Sequence, residues 1–200
     1  MKNIIASLTL CAAVLGVLTG CSLSSSQDDT LTEEQKSKVS TLQLSIEDLR
    51  EYTASSQERD KVVELEENGS RYYFASDGKR YIFPTIEIYV SWFGEYEPEK
   101  SLPLEDMDDI PLGGNVTLKP GVLMQTPTDP AVYLVLEKGE IAAVTPEVLG
   151  AIYGSYADQI IVIPNWYFTN YTYADPITQI SEFPAIPADM TIDSDKNPNE

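Results

Sequence analysis

Arg71-Tyr72-Tyr73-Phe74-Ala75-Ser76-Asp77-Gly78-Lys79-Arg80-Tyr81-Ile82-Phe83-Pro84 is the stretch on which the fold turns. Aromatic and apolar residues on both sides of an Asp-Gly pair read as two strands joined by a tight hairpin. Asp77-Gly78 predicts a type I′ turn, in which both central residues take positive φ. Pro84 has no N–H to give to a ladder and ends the second strand. Just upstream, Val62-Val63-Glu64-Leu65 reads as another strand running into the turn pair Asn68-Gly69.

The pattern returns 61 residues later, where Tyr133 precedes Gly139 by the same six positions that separate Tyr72 from Gly78. Phe83-Pro84 in the first copy is answered by Val144-Thr145-Pro146 in the second. Each hairpin leads to a short helical segment, one carrying Trp92-Phe93-Gly94-Glu95-Tyr96 and the other Ile152-Tyr153-Gly154-Ser155-Tyr156. The offset there is 60, and it returns to 61 where Met107 and Ile110 align with Phe168 and Tyr171. Matched glycines and aromatics at a fixed offset mark an internal repeat. Between the copies, Gly113 to Gly121 reads as turn, short strand and turn, and Val122-Leu123-Met124 as an extra strand. The expected fold class is α+β and β-rich, an N-terminal helix followed by two diverged β-hairpin plus short-helix repeats. The repeat units span roughly 70–121 and 131–175 within a β-rich domain at 61–186.

Asp77-Gly78-Lys79-Arg80-Tyr81-Ile82-Phe83-Pro84, Ile110-Pro111-Leu112-Gly113-Gly114-Asn115-Val116-Thr117 and Phe168-Thr169-Asn170-Tyr171 resemble a tandem repeat of bacterial cell-surface and secreted proteins. The resemblance covers roughly residues 70–175 and implies an envelope-facing β-rich module, with no activity to carry over. The second copy departs from it where Ile141-Ala142-Ala143-Val144 replaces the basic-aromatic strand.

Outside the repeats, residues 32–60 read as helical. Thr32 and Gln35 have capping-box spacing, and Glu33 and Glu34 suit the positive end of the helix dipole. Val39, Leu42, Ile46 and Leu49 form one apolar stripe, fit either for packing on the domain or for a short stalk. Residues 187–200, rich in Asp, Pro and Asn, read as a disordered acidic tail.

The chain opens with Lys2, an apolar run from Ile4 to Leu18, and Leu18-Thr19-Gly20-Cys21. The run is too short to span a hydrocarbon core of about 30 Å. A basic start, a short apolar core and a small residue before the cut describe a removable signal peptide, residues 1–20. The last four residues resemble the lipobox of bacterial lipoproteins. That resemblance implies cleavage between Gly20 and Cys21, acyl chains on Cys21, and a flexible tether over 21–31. Two or more acyl chains anchor stably where one binds marginally. The expected location is the cell envelope, anchored to a membrane and exposed outside the cytoplasm, with the membrane and leaflet left open by the sequence.

Composition narrows the chemistry. The chain has no histidine, and its two cysteines are Cys11, within the signal, and Cys21. Imidazole-based and thiol-based catalysis are thereby excluded, together with zinc sites built on those ligands. Loss of Lys2 from 13 basic residues leaves 12 against 32 acidic ones, so the charge moves from −19 to −20. Such a body is repelled by phosphate backbones, and no nucleic acid is expected as partner. No cofactor is expected.

Two stretches stand out as candidate sites. Asn165 to Tyr173 contains Trp166, Tyr167, Tyr171 and Tyr173, rings that would stack on sugars or anchor a protein partner, or alternate in a strand and fill the core. Glu105, Asp106, Asp108 and Asp109 offer oxygens of the kind Ca²⁺ takes, without EF-hand spacing, or form a solvated acidic turn. Catalytic residues cannot be picked among 32 acids. The expected role is non-catalytic: binding or structural, toward cell-wall polymer or an envelope protein. The alternatives are a carboxylate-based hydrolase of envelope glycans and a calcium-stabilised adhesion module.

Overall fold

The computed structural model describes residues 31–51 and 56–196, so the signal peptide, Cys21 and nearly all of the tether lie outside the described residues. Helix α1, Glu33–Glu51, begins with the expected capping box: Gln35 N–H donates to Thr32 Oγ1 at 3.2 Å, and Thr32 N–H to Gln35 Oε1 at 2.8 Å. Val39 and Leu42 on its stripe are buried, and the helix packs on the domain as one of the two expected alternatives. A short α2, Ser56–Arg59, leads into the repeats. Among the described residues no helix is long and apolar enough to cross a membrane.

Repeat one contains β1 Val62–Leu65, β2 Arg71–Phe74, β3 Arg80–Ile82, α3 Ile86–Phe93, β4 Ser101–Leu102, α4 Leu104–Asp108 and β5 Leu112–Asn115. Repeat two has β6 Leu123–Thr126, β7 Asp129–Val135, β8 Glu140–Ala143, α5 Pro146–Tyr153, β9 Ile160–Val162, a 3₁₀ turn over Asn165–Asn170 and β10 Thr172–Tyr173. The first sheet runs β4-β1-β2-β3-β5 and the second β10-β8-β7-β6-β9, which read from its other end is the same order. Inner pairs are antiparallel in both sheets and outer pairs parallel.

The registers of corresponding strand pairs match at a constant shift, apart from a bulge in β6–β7 and one in β3–β5. Val62 faces Tyr73 and Leu123 faces Leu134, a shift of 61 on both sides. Arg80 faces Leu112, and Ile141 faces Tyr173 at the same shift. The repeats therefore begin one strand earlier than 70 and 131. Val122-Leu123-Met124 is no extra strand, since Leu123 and Met124 open the second repeat as the counterpart of Val62 and Val63.

Both helices are bounded alike, by Thr85 and Thr145 at the N-cap and by Gly94 and Gly154 at positive φ past the end. Only Thr85 bonds back to its helix, accepting from Ile88 N–H; in α5, Pro146 starts the first turn instead.

The first hairpin departs from the expected type I′ turn. Gly78 has φ 80°, while Lys138 is the only non-glycine with positive φ among the described residues. Asp77 stays in an ordinary conformation because its carboxylate accepts the Lys79 N–H at 3.0 Å and the Tyr81 hydroxyl at 2.8 Å. Positive φ at two successive central residues occurs instead in the second hairpin, at Lys138 (58°) and Gly139 (70°).

The two repeats are stacked face to back. In repeat one, Val62, Tyr73 and Tyr81 share a core with Ile88, Tyr89 and Trp92 of α3. The same core takes in Met124, Tyr133, Ile141, Tyr167 and Tyr171 of repeat two. Those residues lie on the face of the second sheet that carries the 3₁₀ turn. Its other face, with Leu123, Leu134 and Ala142, packs on α5 and is closed by Leu42 of α1, Ile177 and Phe183. Terminal segments close the end of the stack, as capping elements do in repeat proteins.

Between the repeats runs a buried linker, Val116-Thr117-Leu118-Lys119, each residue less than a tenth exposed. Its polar groups are met from both repeats. Trp92 Nε1–H donates to Thr117 O at 2.8 Å, Leu118 N–H to the Tyr171 hydroxyl at 3.0 Å, and Lys119 N–H to Ser91 Oγ at 3.1 Å. Tyr167 donates its hydroxyl to Val116 O. A buried strip of backbone without such partners would cost about 1–3 kcal/mol per group.

The expected turn at Gly113-Gly114 is strand β5. A Cβ on Gly113 would lie 2.4 Å from the ring of Tyr81, so glycine is required there by close approach.

The segment 187–196, expected as the start of a disordered tail, forms α6, Ile192–Asp195. Thr191 and Ser194 cap it reciprocally, and Met190, Ile192 and Asp195 are buried. Met190 and Ile192 are the apolar side chains that this short segment buries among its acids.

Candidate functional site

The two candidate stretches occupy the same slot of the two repeats. Pro103 precedes α4 and Pro164 the 3₁₀ turn, both in extended conformation. Glu105 thus corresponds to Trp166 and Asp106 to Tyr167. The acidic slot looks outward. Met107 is fully buried beneath α4 against Val63 and Leu65, while Glu105, Asp106, Asp108 and Asp109 are all exposed. Asp108 lies 3.7 Å from Arg80. Among the described residues no three carboxylate, imidazole or thiol groups are gathered as a metal ion would need. The solvated reading fits this geometry.

The aromatic stretch divides. It is a 3₁₀ turn and a two-residue strand, so its rings do not alternate as a single strand would place them. Tyr167 and Tyr171 are core residues bonded to the linker, and burial pushes the Tyr171 hydroxyl far up. Trp166 and Tyr173 remain 63% and 67% exposed. Tyr173 completes a triangle of rings with Phe168 at 5.6 Å and Tyr133 at 6.0 Å, arrangements that favour edge-to-face packing. The Tyr133 hydroxyl donates to Asp129 at 2.8 Å. Partial desolvation and that carboxylate raise Tyr133 to about 12, while Ala131 N–H and Tyr133 hold Asp129 below its usual range. Tyr173 thus stands on packed rings, and Trp166 stands edge-on to the buried Tyr167 at 5.7 Å.

A polar cluster was not legible in the sequence. The Tyr73 hydroxyl, on a fully buried ring, donates to Glu58 at 2.7 Å and lies 3.0 Å from Asp193. Lys61 Nζ reaches Asp193 at 2.7 Å and Glu58 at 3.1 Å. Ser76 donates both its N–H and its hydroxyl to the other oxygen of Asp193, at 2.7 and 2.8 Å. Burial raises Asp193, but Lys61, Ser76 and Tyr73 outweigh it and hold the carboxyl well below the usual range. Asp193 in turn raises Lys61 against its own desolvation. Lys196 extends the cluster to Asp77 at 2.9 Å. The signal that could have revealed it is the Thr191/Ser194 cap spacing beside the isolated apolar Met190 and Ile192.

Asp193 and Asp195 are bonded inside the body and do not line the open groove. That groove, about 600 Å³, runs between α1, α5 and residues 178–181, with Leu31, Val148, Ala151 and Ile180 as its apolar lining. Glu34 and Glu147 stand in its wall, and neither belongs to the cluster. Lys119, 3% exposed in the linker, is lowered to about 8 by desolvation.

No family model and no curated protein matches the sequence. Among solved structures, the chain is similar to a chain of the periplasmic assembly from the ESX-5 inner membrane complex, at 14% identity and TM-score 0.25, covering 64% of this chain and 36% of that one. A chain of an intact ESX-5 inner membrane complex is similar at the same identity and TM-score, with 64% and 32% covered. The chain thus spans about a third of the length of the solved chains it matches.

Proposed function

We propose that the mature chain is a lipid-anchored envelope protein whose two-repeat body has a non-catalytic role, binding or bracing cell-wall polymer or another envelope protein. The anchor is Cys21, freed by cleavage after Gly20 and carrying acyl chains. Trp166 and Tyr173 are the contact rings. The observation that carries the binding role is the division of one aromatic stretch: two rings are spent on the core, and two are held exposed on a supported surface. Exposed tryptophan and tyrosine of this kind anchor interfaces and stack on sugar faces.

The hydrolase reading needs two acids with separated proton affinities facing a cleft. Asp193 and Asp195 have such affinities, yet both are engaged in hydrogen bonds of the body. That geometry favours the binding role. The calcium reading needs converging oxygens, and the outward carboxylates of α4 give it no support.

The test is capture from envelope extract with residues 32–200, followed by mass spectrometry of the native protein's N-terminus. This span keeps α6, which a shorter domain ending at 186 would lose. Recovery of a polymer or protein that is lost on Trp166→Ala/Tyr173→Ala supports the role. Equal recovery by the double variant removes the rings from it, and an unacylated Cys21 removes the anchor.

A further inference from the structure

α6 is four residues long, yet it touches both repeats through two carboxylates two residues apart, about half a turn, which point to opposite sides. Asp193 is bonded to Lys61, Tyr73 and Ser76 of repeat one. Asp195, 3% exposed, accepts the N–H of Lys138 in the β7–β8 turn of repeat two at 2.7 Å. That N–H belongs to the residue held at positive φ, a conformation costly for a side chain with a Cβ. Beside Asp195, Ile192 closes a void of about 10 Å³ lined by Trp92, Asn115 and Thr117, room for about one water molecule. The segment lies on the seam where the buried linker passes between the repeats.

We propose that α6 is a releasable latch, docked across the seam with one carboxylate on each repeat, whose departure uncovers Trp92 and the linker. This is independent of the binding role proposed above. The two carboxylates give the latch opposite responses to pH. The charged and titratable groups around Asp195 are Glu137 and Lys138 of the turn, Tyr81 and Tyr171 of the two repeats, and Lys196 of its own segment. Burial dominates over the Lys138 N–H and raises Asp195 to about 7. The docked form therefore holds a proton that the released form has lost. Between the ordinary carboxylate value and about 7, the docked-to-released ratio falls by up to about tenfold per pH unit as pH rises. Asp193, lowered by its partners, favours docking above its ordinary value and loses that contribution as pH falls below it. The latch is tightest in mildly acidic solution, loosens as pH rises toward about 7 and levels off above it.

Trp92 is the reporter, since the chain has two tryptophans and Trp166→Phe leaves only the buried one. Acrylamide quenching of Trp92 is followed from pH 5 to 8.5 in that background. The expected result is quenching that rises with pH up to about neutrality and then levels off. With Asp195→Asn added, quenching stays low throughout, because the group whose ionisation loosens the latch is gone. With Asp193→Ala added, it is high throughout. Flat quenching in the parent, or the same rise with Asp195→Asn, overturns the proposal.

Discussion

Residues 103–112 and 164–173 follow one backbone plan and carry opposite chemistry. The first holds an acidic helix over one buried methionine, the second a 3₁₀ turn crowded with rings. The difference follows from position in the stack. The second slot faces the neighbouring repeat and the buried linker, so its rings and hydroxyls are needed there. The first slot faces water, so carboxylates cost nothing and aid solubility. Its candidate metal ligands and the other slot's candidate aromatics are thus two answers to one structural question. Within the aromatic slot, Trp166 and Tyr173 are the rings left exposed by the stack.

The comparison can be broken most forcefully at Tyr167. Tyr167→Ala should cost about 3–5 kcal/mol, the usual range for losing a buried aromatic, while its counterpart Asp106→Ala should stay within about 0.5 kcal/mol. Denaturant unfolding of both variants checks this, and equal effects would contradict the face-to-back stack.

A second pair lies at the Tyr81–Gly113 contact. The counterparts in repeat two are Ala142 and Ala174, so a small residue beneath permits a side chain above. Gly113→Ala should cost about 1–3 kcal/mol by overpacking. In the Tyr81→Ala background the added methyl should cost markedly less, a coupling that a double-mutant cycle reads directly.

The acid side of the stability profile is the third expectation. Asp193 binds its partners as a carboxylate, so its contribution is present above its ordinary value and fades as pH falls through and below it. Because Lys61 is partly exposed, Lys61→Met should flatten this acid limb by only about 1–2 kcal/mol in thermal or urea unfolding. The smallest effect on stability belongs to Trp166→Ala/Tyr173→Ala, within about 1 kcal/mol, since both rings are exposed.

Much of this fold was legible because it is local. The hairpins announce themselves through glycine and β-prone residues, α1 through its capping box, and the repeat through a constant offset. What escaped depends on contacts distant in sequence. β4 and β9 are two and three residues long and exist as parallel partners of β1 and β6, so neither carries a local mark; β1 and β6 read as strands, but their place at the head of each repeat shows only in the pairing. The tail was read from its acids, although Met190 and Ile192 decide its fate by being buried. The aromatic stretch showed its rings but not their directions, which follow from 3₁₀ geometry and from the facing repeat. The turn type at Asp77-Gly78 failed because the Asp77 carboxylate had better partners.

The stack itself is tested most directly by amide hydrogen exchange at Val116, Leu118 and Lys119. Connecting segments on a protein surface exchange quickly. Here the three N–H groups are held by Ile82 O, the Tyr171 hydroxyl and Ser91 Oγ, in a strip closed on both sides. They should be protected to the degree of the β2 and β7 amides. Exchange at the rate of an open linker would mean that the two repeats do not clasp the chain between them.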